Sequence, residues 1–461
     1  MFDMNEYRQF IAAKGVSAQS VGFVPNGLPQ RLFPHQKAAV EFALEKGRAA
    51  LFMDTGLGKS GCEAVFADQC LRETGKPSLI LTPLAVARQM QRECDAFGVE
   101  ARVVRDESEQ WSGVNIANYE RLSKLDLSRF GAVVLDESSI LKAFSGSTKR
   151  ALVEAFRDTP YRLAATATPA PNDHMELGTH AEFLGIMGSM EMLCRWFIND
   201  TSTASQDWRL KGHAVDDFWS WVASWARAAS LPSDLGGEDT GFILPPLHVR
   251  LHTVGVDLTQ GAAQGMLFRI PDNSATDIHA EKKRTIAERV IQSAEIANGH
   301  NGAVIVWCER DDESEALTKA IPDAIEVKGS MDMDAKEAAL EAFTLGQRRV
   351  IVTKAKIAGF GLNWQHADCQ IFASLSHSYE RYYQAIRRSW RFGQTREVTA
   401  NIVIAETEHG IWRNVLRKSA DHDRMKKAMA EAMRGAQIGS HRLAYTRASE
   451  VTLPDFLGAR A

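Results

Sequence analysis

The chain has 461 residues, 45% of them hydrophobic and 24% charged, with a formal net charge of −4 at pH 7. It is too long for one ordinary core and fits two domains of about 200 residues each. The slight negative charge excludes attraction of nucleic acid by a whole-molecule field, so any contact with phosphate must rest on local basic patches. Cys62, Cys70, Cys94, Cys194, Cys308 and Cys369 form no CxxC pair, which argues against a zinc ribbon or a disulfide framework and predicts buried thiols in a reducing compartment. The N-terminus has no basic region followed by an apolar run, and no stretch of about 18 apolar residues occurs, so the expectation is a cytosolic protein with no membrane partner.

After an N-terminal extension (residues 1–30), strand-like apolar runs alternate with helix-period segments. Ala49–Met53, Ser78–Thr82, Gly113–Asn118, Ala132–Asp136 and Tyr161–Ala167 are the predicted strands. Such runs, each followed by a helical stretch, signal a parallel sheet covered on both faces, with chemistry on the loops at the carboxyl ends of its strands. Gln36 precedes an amphipathic helix, where an amide can pair with the edge of adenine. MDTGLGKS, Met53–Ser60, lies between a strand and a helix and suits a phosphate loop. In it Thr55, Gly56 and Gly58 offer backbone N–H groups, Lys59 reaches the β/γ-phosphates, and Ser60 ligates Mg²⁺. Met53 stands where the strict pattern has its first glycine, and the bland reading is a glycine turn. Asp136 and Glu137 end another strand, one to hold the metal, the other to polarise the attacking water. Thr166 and Thr168, in AATATPAPN, are placed to couple hydrogen bonding to the nucleotide state; a simple Thr-Pro turn is the alternative.

Residues 173–240 read as a helical, tryptophan-rich segment, with Phe218, Trp221, Val222 and Trp225 as a packing stripe. The Pro-Pro pair of Ile243–Leu247 predicts a stiff connection, and the domain boundary is placed there. Ala303–Cys308, Ala324–Lys328, Arg348–Lys354, Cys369–Ser374 and Thr399–Ala405 then predict a second doubly wound sheet. Gly359 and Gly361 suit close approach of backbone to phosphate. Gln384, Arg388 and Arg391 follow at spacings of four and three, expected on one helical face. Unless it is a solvated basic face, this segment supplies an arginine finger to the phosphate site of the first half. A helix is predicted over roughly 410–434, followed by a C-terminal extension. The domains are thus a first lobe over 31–240, including 173–240, a second lobe over 241–435, and an extension over 436–461.

The ordered set from LFPHQ through MDTGLGKS, IANYE, LDESSILK and AATATPAPN to VIVTKAKIAGFGLNWQHAD and QAIRRSWRFGQ resembles helicase superfamily two, and within it the SWI/SNF-like branch of double-stranded DNA translocases. The resemblance runs from Leu32 to about Thr395. It implies an α/β fold of two tandem RecA-like lobes with a helical insertion between them, ATP and Mg²⁺ as ligands, and DNA as partner. It assigns adenine recognition to Gln36, phosphate binding to Lys59 and Ser60, metal and water to Asp136 and Glu137, and transition-state contacts to Arg388 and Arg391. Gln384 links hydrolysis to lobe closure, and Lys142 matches a lysine after the acidic box. Thr82, Pro83, Asn118, Tyr119, Ser330, Thr353 and Lys354 match segments touching or adjoining the nucleic-acid backbone. Ser139 replaces the usual histidine of the acidic box and Ala167 a glycine. The short span between Thr168 and Ala303 suggests a compact engine of bacterial or phage type.

The expected activity is DNA-stimulated ATP hydrolysis by a monomer that translocates on duplex DNA through sequence-independent backbone contacts and remodels protein–DNA or branched DNA structures. One alternative is a strand-separating DNA or RNA helicase. Another, from a different class, is a nucleotide-gated module that loads a nuclease or a replication or recombination protein.

Overall fold

The computed structural model describes residues 17–83, 86–142, 146–200, 207–256, 275–358 and 362–438. The chain divides into two compact units, one of residues 1–238 and 422–461, the other of residues 239–421. Residues 422–435, expected in the second lobe, cluster instead with the first unit.

In the first unit a seven-stranded sheet has the order β3-β4-β2-β5-β6-β1-β9. The strands are β1 (Arg48–Met53), β2 (Ser78–Thr82), β3 (Ala101–Val103), β4 (Val114–Asn118), β5 (Ala132–Asp136), β6 (Tyr161–Ala165) and, after a small antiparallel hairpin of β7 (Phe197–Asp200) with β8 (Asp207–Leu210), β9 (Ala226–Ala229). All its ladders are parallel. β1, β2 and β5 are buried nearly end to end, as expected of strands covered on both faces, which is why they read as unbroken apolar runs. The covering helices are α1 (Pro34–Lys46), α2 (Lys59–Thr74), α3 (Ala87–Ala96), α4 (Ser147–Ala155), α5 (Leu177–Leu184), α6 (Ser189–Trp196) and α7 (Val215–Ala223).

Register brings the chemistry to one end of this sheet. Leu51 of β1 and Asp136 of β5 both lie opposite Ala165 of β6, and Thr82 of β2 lies opposite Asn118 of β4. The turns that follow β1, β5 and β6 therefore leave the sheet side by side.

The second unit holds a six-stranded parallel sheet, order β10-β15-β14-β11-β13-β12. Its strands are β10 (Leu247–Val254), β11 (Ala303–Cys308), β12 (Ala324–Val327), β13 (Val350–Lys354), β14 (Ala367–Phe372) and β15 (Val398–Ala405). The helices are α8 (Ala275–Arg284), α9 (Ile286–Asn298), α10 (Asp311–Ala320), α11 (Met333–Thr344), α12 (Ala355–Ala358), α13 (Tyr379–Ile386) and α14 (His409–Ile438). From Met425 onward α14 buries Met425, Met429 and Met433 in the core of the first unit.

Several expectations are corrected. β9 lies in the segment read as helical: its alanines favour a helix in isolation, but Ala226–Ala229 finds an open edge beside β1 and pairs with Ala50–Met53. The Phe218, Trp221, Val222 and Trp225 stripe is buried, as read, with Trp225 edge-on to Phe52. Five cysteines are buried, whereas Cys194 is exposed.

Candidate active site

The turn after β1 is shaped by its glycines. Gly56 and Gly58 have φ of 101° and 75°, values that an L side chain adopts only with strain. A Cβ on Gly58 would also stand 2.0 Å from Gln36 Nε2. Gln36 braces the loop: Nε2 donates to the carbonyls of Gly58 (3.1 Å) and Leu57 (3.4 Å), while Oε1 accepts from the N–H of Phe33 (2.9 Å). The amide expected at adenine is thus engaged with the loop itself. Lys59 Nζ donates to the carbonyl of Met53 at 2.8 Å, folded back over the turn from the first position of α2. Thr55, Gly56, Lys59 and Ser60 remain half-buried, with a face toward solvent. The turn thus brings a helix N-terminus, a glycine-shaped loop and a lysine together, features of the kind that suit an anion.

Asp54, within this loop, is buried and ion-paired with Lys426 of α14. That lysine carried no signal in the sequence beyond belonging to a basic helix.

Beside the loop stands the acidic turn. Asp136 is the buried last residue of β5. Glu137 has φ of 55°, a left-handed conformation that costs a non-glycine residue free energy and recurs at functional turns. Its Oε2 accepts a hydrogen bond from Thr166 Oγ1 at 3.3 Å, and that oxygen accepts from the N–H of Thr168 at 3.1 Å. Thr166 therefore meets the acidic turn directly, and Thr168 only through Thr166. Lys142 is half-buried at the end of the following 3₁₀ turn.

A third carboxyl went unread. Glu63, one helical turn beyond Lys59, is fully buried, and neither oxygen has a hydrogen-bond partner among the described residues. Burial first, and then the charge of Asp136, push its carboxyl well above the usual range, in favour of the protonated form. Its position four residues after Lys59 was the available clue.

Among the described residues no group of three or more His, Cys, Asp or Glu side chains could hold a metal. The oxygen donors Ser60 and Asp136 instead suit Mg²⁺, which keeps waters and takes ligands from nucleotide phosphates. The same set lacks any helix long and apolar enough to cross a membrane.

The residues expected at nucleic acid are placed unequally. Thr82 is buried, with its hydroxyl 3.4 Å from Asn118 Oδ1, while Pro83 and Asn118 are half-buried. Tyr119 turns inward and donates its hydroxyl to the carbonyl of Asp136 at 2.8 Å, which makes it a support of the acidic turn. Thr353 is fully buried, its hydroxyl satisfied by the carbonyl of Val327 at 3.0 Å, so it offers nothing to a ligand. Ser330 is exposed in a turn. Lys354 pairs with Asp311 at 2.8 Å. Gly361 lies outside the described residues.

The expected arginine helix is shorter than its sequence pattern. α13 ends at Ile386, whose carbonyl accepts from the buried side chain of Gln370 at 2.9 Å as well as from the N–H of Trp390 at 3.1 Å. Arg388 and Arg391 follow on an irregular segment. Arg388 is buried and donates to the carbonyls of Gln384 (2.9 Å) and Leu362 (3.1 Å), and Arg391 also reaches Leu362 O, at 3.3 Å. Gln384 is buried, its Nε2 without a partner among the described residues.

Residues 281–393 match the helicase conserved C-terminal domain. Over 423 residues the chain is 23% identical to the Bos taurus SWI/SNF-related matrix-associated actin-dependent regulator of chromatin subfamily A-like protein 1, an alignment covering 83% of this chain and 43% of that protein. It is 22% identical over 454 residues to the Bos taurus DNA annealing helicase and endonuclease ZRANB3, covering 86% and 40%. The chain thus spans about two fifths of the length of these curated relatives. In fold it is similar to S. cerevisiae Dbp5, solved with RNA and ADP BeF3, with a TM-score of 0.54 at 11% identity over 88% of this chain and 94% of that one. The helicase-domain match lies in the unit that carries the arginine segment, and these relatives align with most of the chain, so in sequence the chain is similar to SWI/SNF-like helicases of superfamily two and in fold it is built on two RecA-like parallel-sheet lobes.

Proposed function

We propose that the chain hydrolyses ATP at the loop after β1 and the acidic turn after β5, is stimulated by DNA, and translocates along duplex DNA. The observation that carries the reading is the register of β1, β5 and β6, from whose neighbouring ends the segments bearing Lys59, Asp136, Glu137 and Thr166 leave the sheet. Lys59 exchanges the carbonyl of Met53 for the β/γ-phosphates, and the glycine turn offers its N–H groups. A Mg²⁺ ion bound with the nucleotide supplies charge neutralisation at the phosphates. Ser60 and Asp136 are the residues that would hold it. Glu137, oriented by Thr166, positions and polarises the attacking water. Arg388 and Arg391 act on the phosphoryl group during transfer, and Gln384 couples turnover to movement.

The name of the bovine annealing helicase supports DNA as the activating polymer. ATPase measurements with duplex DNA, single-stranded DNA and RNA test the reading. Strongest activation by duplex is expected; activation by RNA alone would replace the translocase with an RNA helicase. Absence of hydrolysis with every polymer would leave a nucleotide-gated loading module.

A further inference from the structure

We propose that His180 and Ser138 form a positioning dyad that holds Glu137 in its working orientation, an inference that rests on Glu137 being the water-orienting carboxylate. His180, on α5, is fully buried and far in sequence from the acidic turn. Its Nδ1 is 3.3 Å from the carbonyl of Glu176, and its Nε2 is 3.1 Å from Ser138 Oγ. A carbonyl only accepts, so Nδ1 carries the proton, and Nε2 is left to accept from the serine hydroxyl. Burial keeps the ring neutral by lowering its pKa to about 4, which leaves one tautomer and one direction for each bond.

The consequence is a ring of hydrogen bonds around the acidic turn. Glu176, whose carbonyl also accepts from Thr179 Oγ1 at 2.6 Å, binds Asn172 through its carboxylate, with Nδ2 at 2.8 Å and the backbone N–H at 3.2 Å. Asn172 closes the AATATPAPN loop, whose Thr166 reaches Glu137 from the other side. Glu137 is thereby fixed from two directions, by Thr166 at its carboxylate and by Ser138 through the adjoining peptide. Its φ of 55° is a conformation that persists only where the surroundings enforce it. Neither His180 nor Ser138 touches the reacting atoms in this scheme; both act through the backbone of the turn.

The test compares His180→Leu, Ser138→Ala, their double variant, His180→Gln and Glu137→Gln in the full chain. His180→Leu and Ser138→Ala should each lower DNA-stimulated kcat about tenfold, a factor consistent with one lost buried hydrogen bond, while the KM for ATP stays within about twofold. The double variant should be no worse than either single one, because both remove the same bond. His180→Gln should recover most of kcat, since its amide oxygen takes the place of Nε2 as acceptor, while its melting temperature should be no higher than that of His180→Leu. Unchanged kcat in His180→Leu with Glu137→Gln inactive overturns the dyad alone. Multiplicative losses, or a KM rising together with the loss of kcat, do the same. Full turnover in Glu137→Gln overturns the water-orienting reading, and the dyad with it.

Discussion

The turns after β1, β5 and β6 differ from the arginine segment of the second unit in how their polar groups are spent. In the first unit, backbone geometry holds the site open: Gly56, Gly58 and Glu137 sit at positive φ, and Gln36 spends its amide propping the phosphate loop. In the second unit, Arg388 and Arg391 rest on carbonyls of their own unit. In the first arrangement the backbone is already set before a ligand arrives, and only Lys59 has a carbonyl, that of Met53, to exchange. The second relies on cations that must trade neutral carbonyl partners for a charged one, an exchange that favours the ligand because an anionic phosphate oxygen adds charge–charge attraction and bidentate geometry to the guanidinium's hydrogen bonds. Substitutions in the first region should therefore abolish chemistry outright, and those in the second should change turnover while sparing nucleotide affinity.

Glu137→Gln gives the largest effect. Hydrolysis should fall by about 10³, within the range for loss of a general base, with ATP binding retained because the phosphate loop is intact. Lys59→Ala should fail one step earlier, in binding itself, and equilibrium binding of a fluorescent nucleotide separates the two. Equal loss of affinity in both variants would erase the division of labour within the first region.

Preorganisation there also predicts a pH signature. His180 titrates near 6.5 when exposed and at about 4 in the fold, so between those values the unfolded chain binds the extra proton. Stability falls as pH drops through this window and levels off below about 4. The shift corresponds to about 3 kcal/mol. Glu63, whose carboxyl is raised by burial, works in the opposite sense, favouring the fold at low pH and losing that contribution as pH rises. The informative quantity is thus the difference between the parent and His180→Gln in chemical denaturation at pH 6.5 and pH 4. The parent should lose about 3 kcal/mol more than the variant; parallel curves would refute the neutral-histidine assignment.

Arg391→Ala probes the second region. ATP affinity should remain within a few-fold of the parent while DNA-stimulated turnover drops by a factor on the order of 10², as for a group that acts mainly in the transition state. Arg391→Lys should not restore it, since a point charge cannot span two phosphate oxygens. Turnover unchanged by either substitution would mean that the carbonyl contacts are Arg391's whole role.

How far the sequence reveals these features follows from the range of the interactions. The glycine turn between β1 and α2 and the acidic turn after β5 were legible because strand, turn and residue type are contiguous, and both sheets followed from apolar runs buried on two faces. β9 was lost because four residues with alanine at three positions carry a helical preference that only the open edge of β1 overrides. The bond from Gln370 to the carbonyl at the end of α13 had no local signal either, because Gln370 belongs to the neighbouring strand β14. Thr353 matched a motif by residue type alone, and its hydroxyl is consumed by the carbonyl of Val327. The Ser138–His180 and Asp54–Lys426 contacts join segments that no local pattern connects.

Lys354 offers the finest test of exchangeable charge in the second region. It holds Asp311 at 2.8 Å, with the aspartate side chain 64% exposed, and an exposed pair of this kind is worth about 0–1 kcal/mol. A backbone phosphate could displace Asp311 at little cost, so Lys354 would reach DNA by abandoning its aspartate. Lys354→Ala should then reduce DNA stimulation a few-fold, leave DNA-independent hydrolysis unchanged, and lower the magnitude of the salt slope of DNA binding by about 0.9 for the one lost phosphate contact. Asp311→Asn should act in the opposite direction, tightening DNA binding at low salt by freeing the lysine in advance. If Lys354→Ala depressed both activities equally, the residue would belong to the nucleotide chemistry or the fold. If Asp311→Asn weakened binding, the carboxylate would be positioning the lysine, and the second region would be as preorganised as the first.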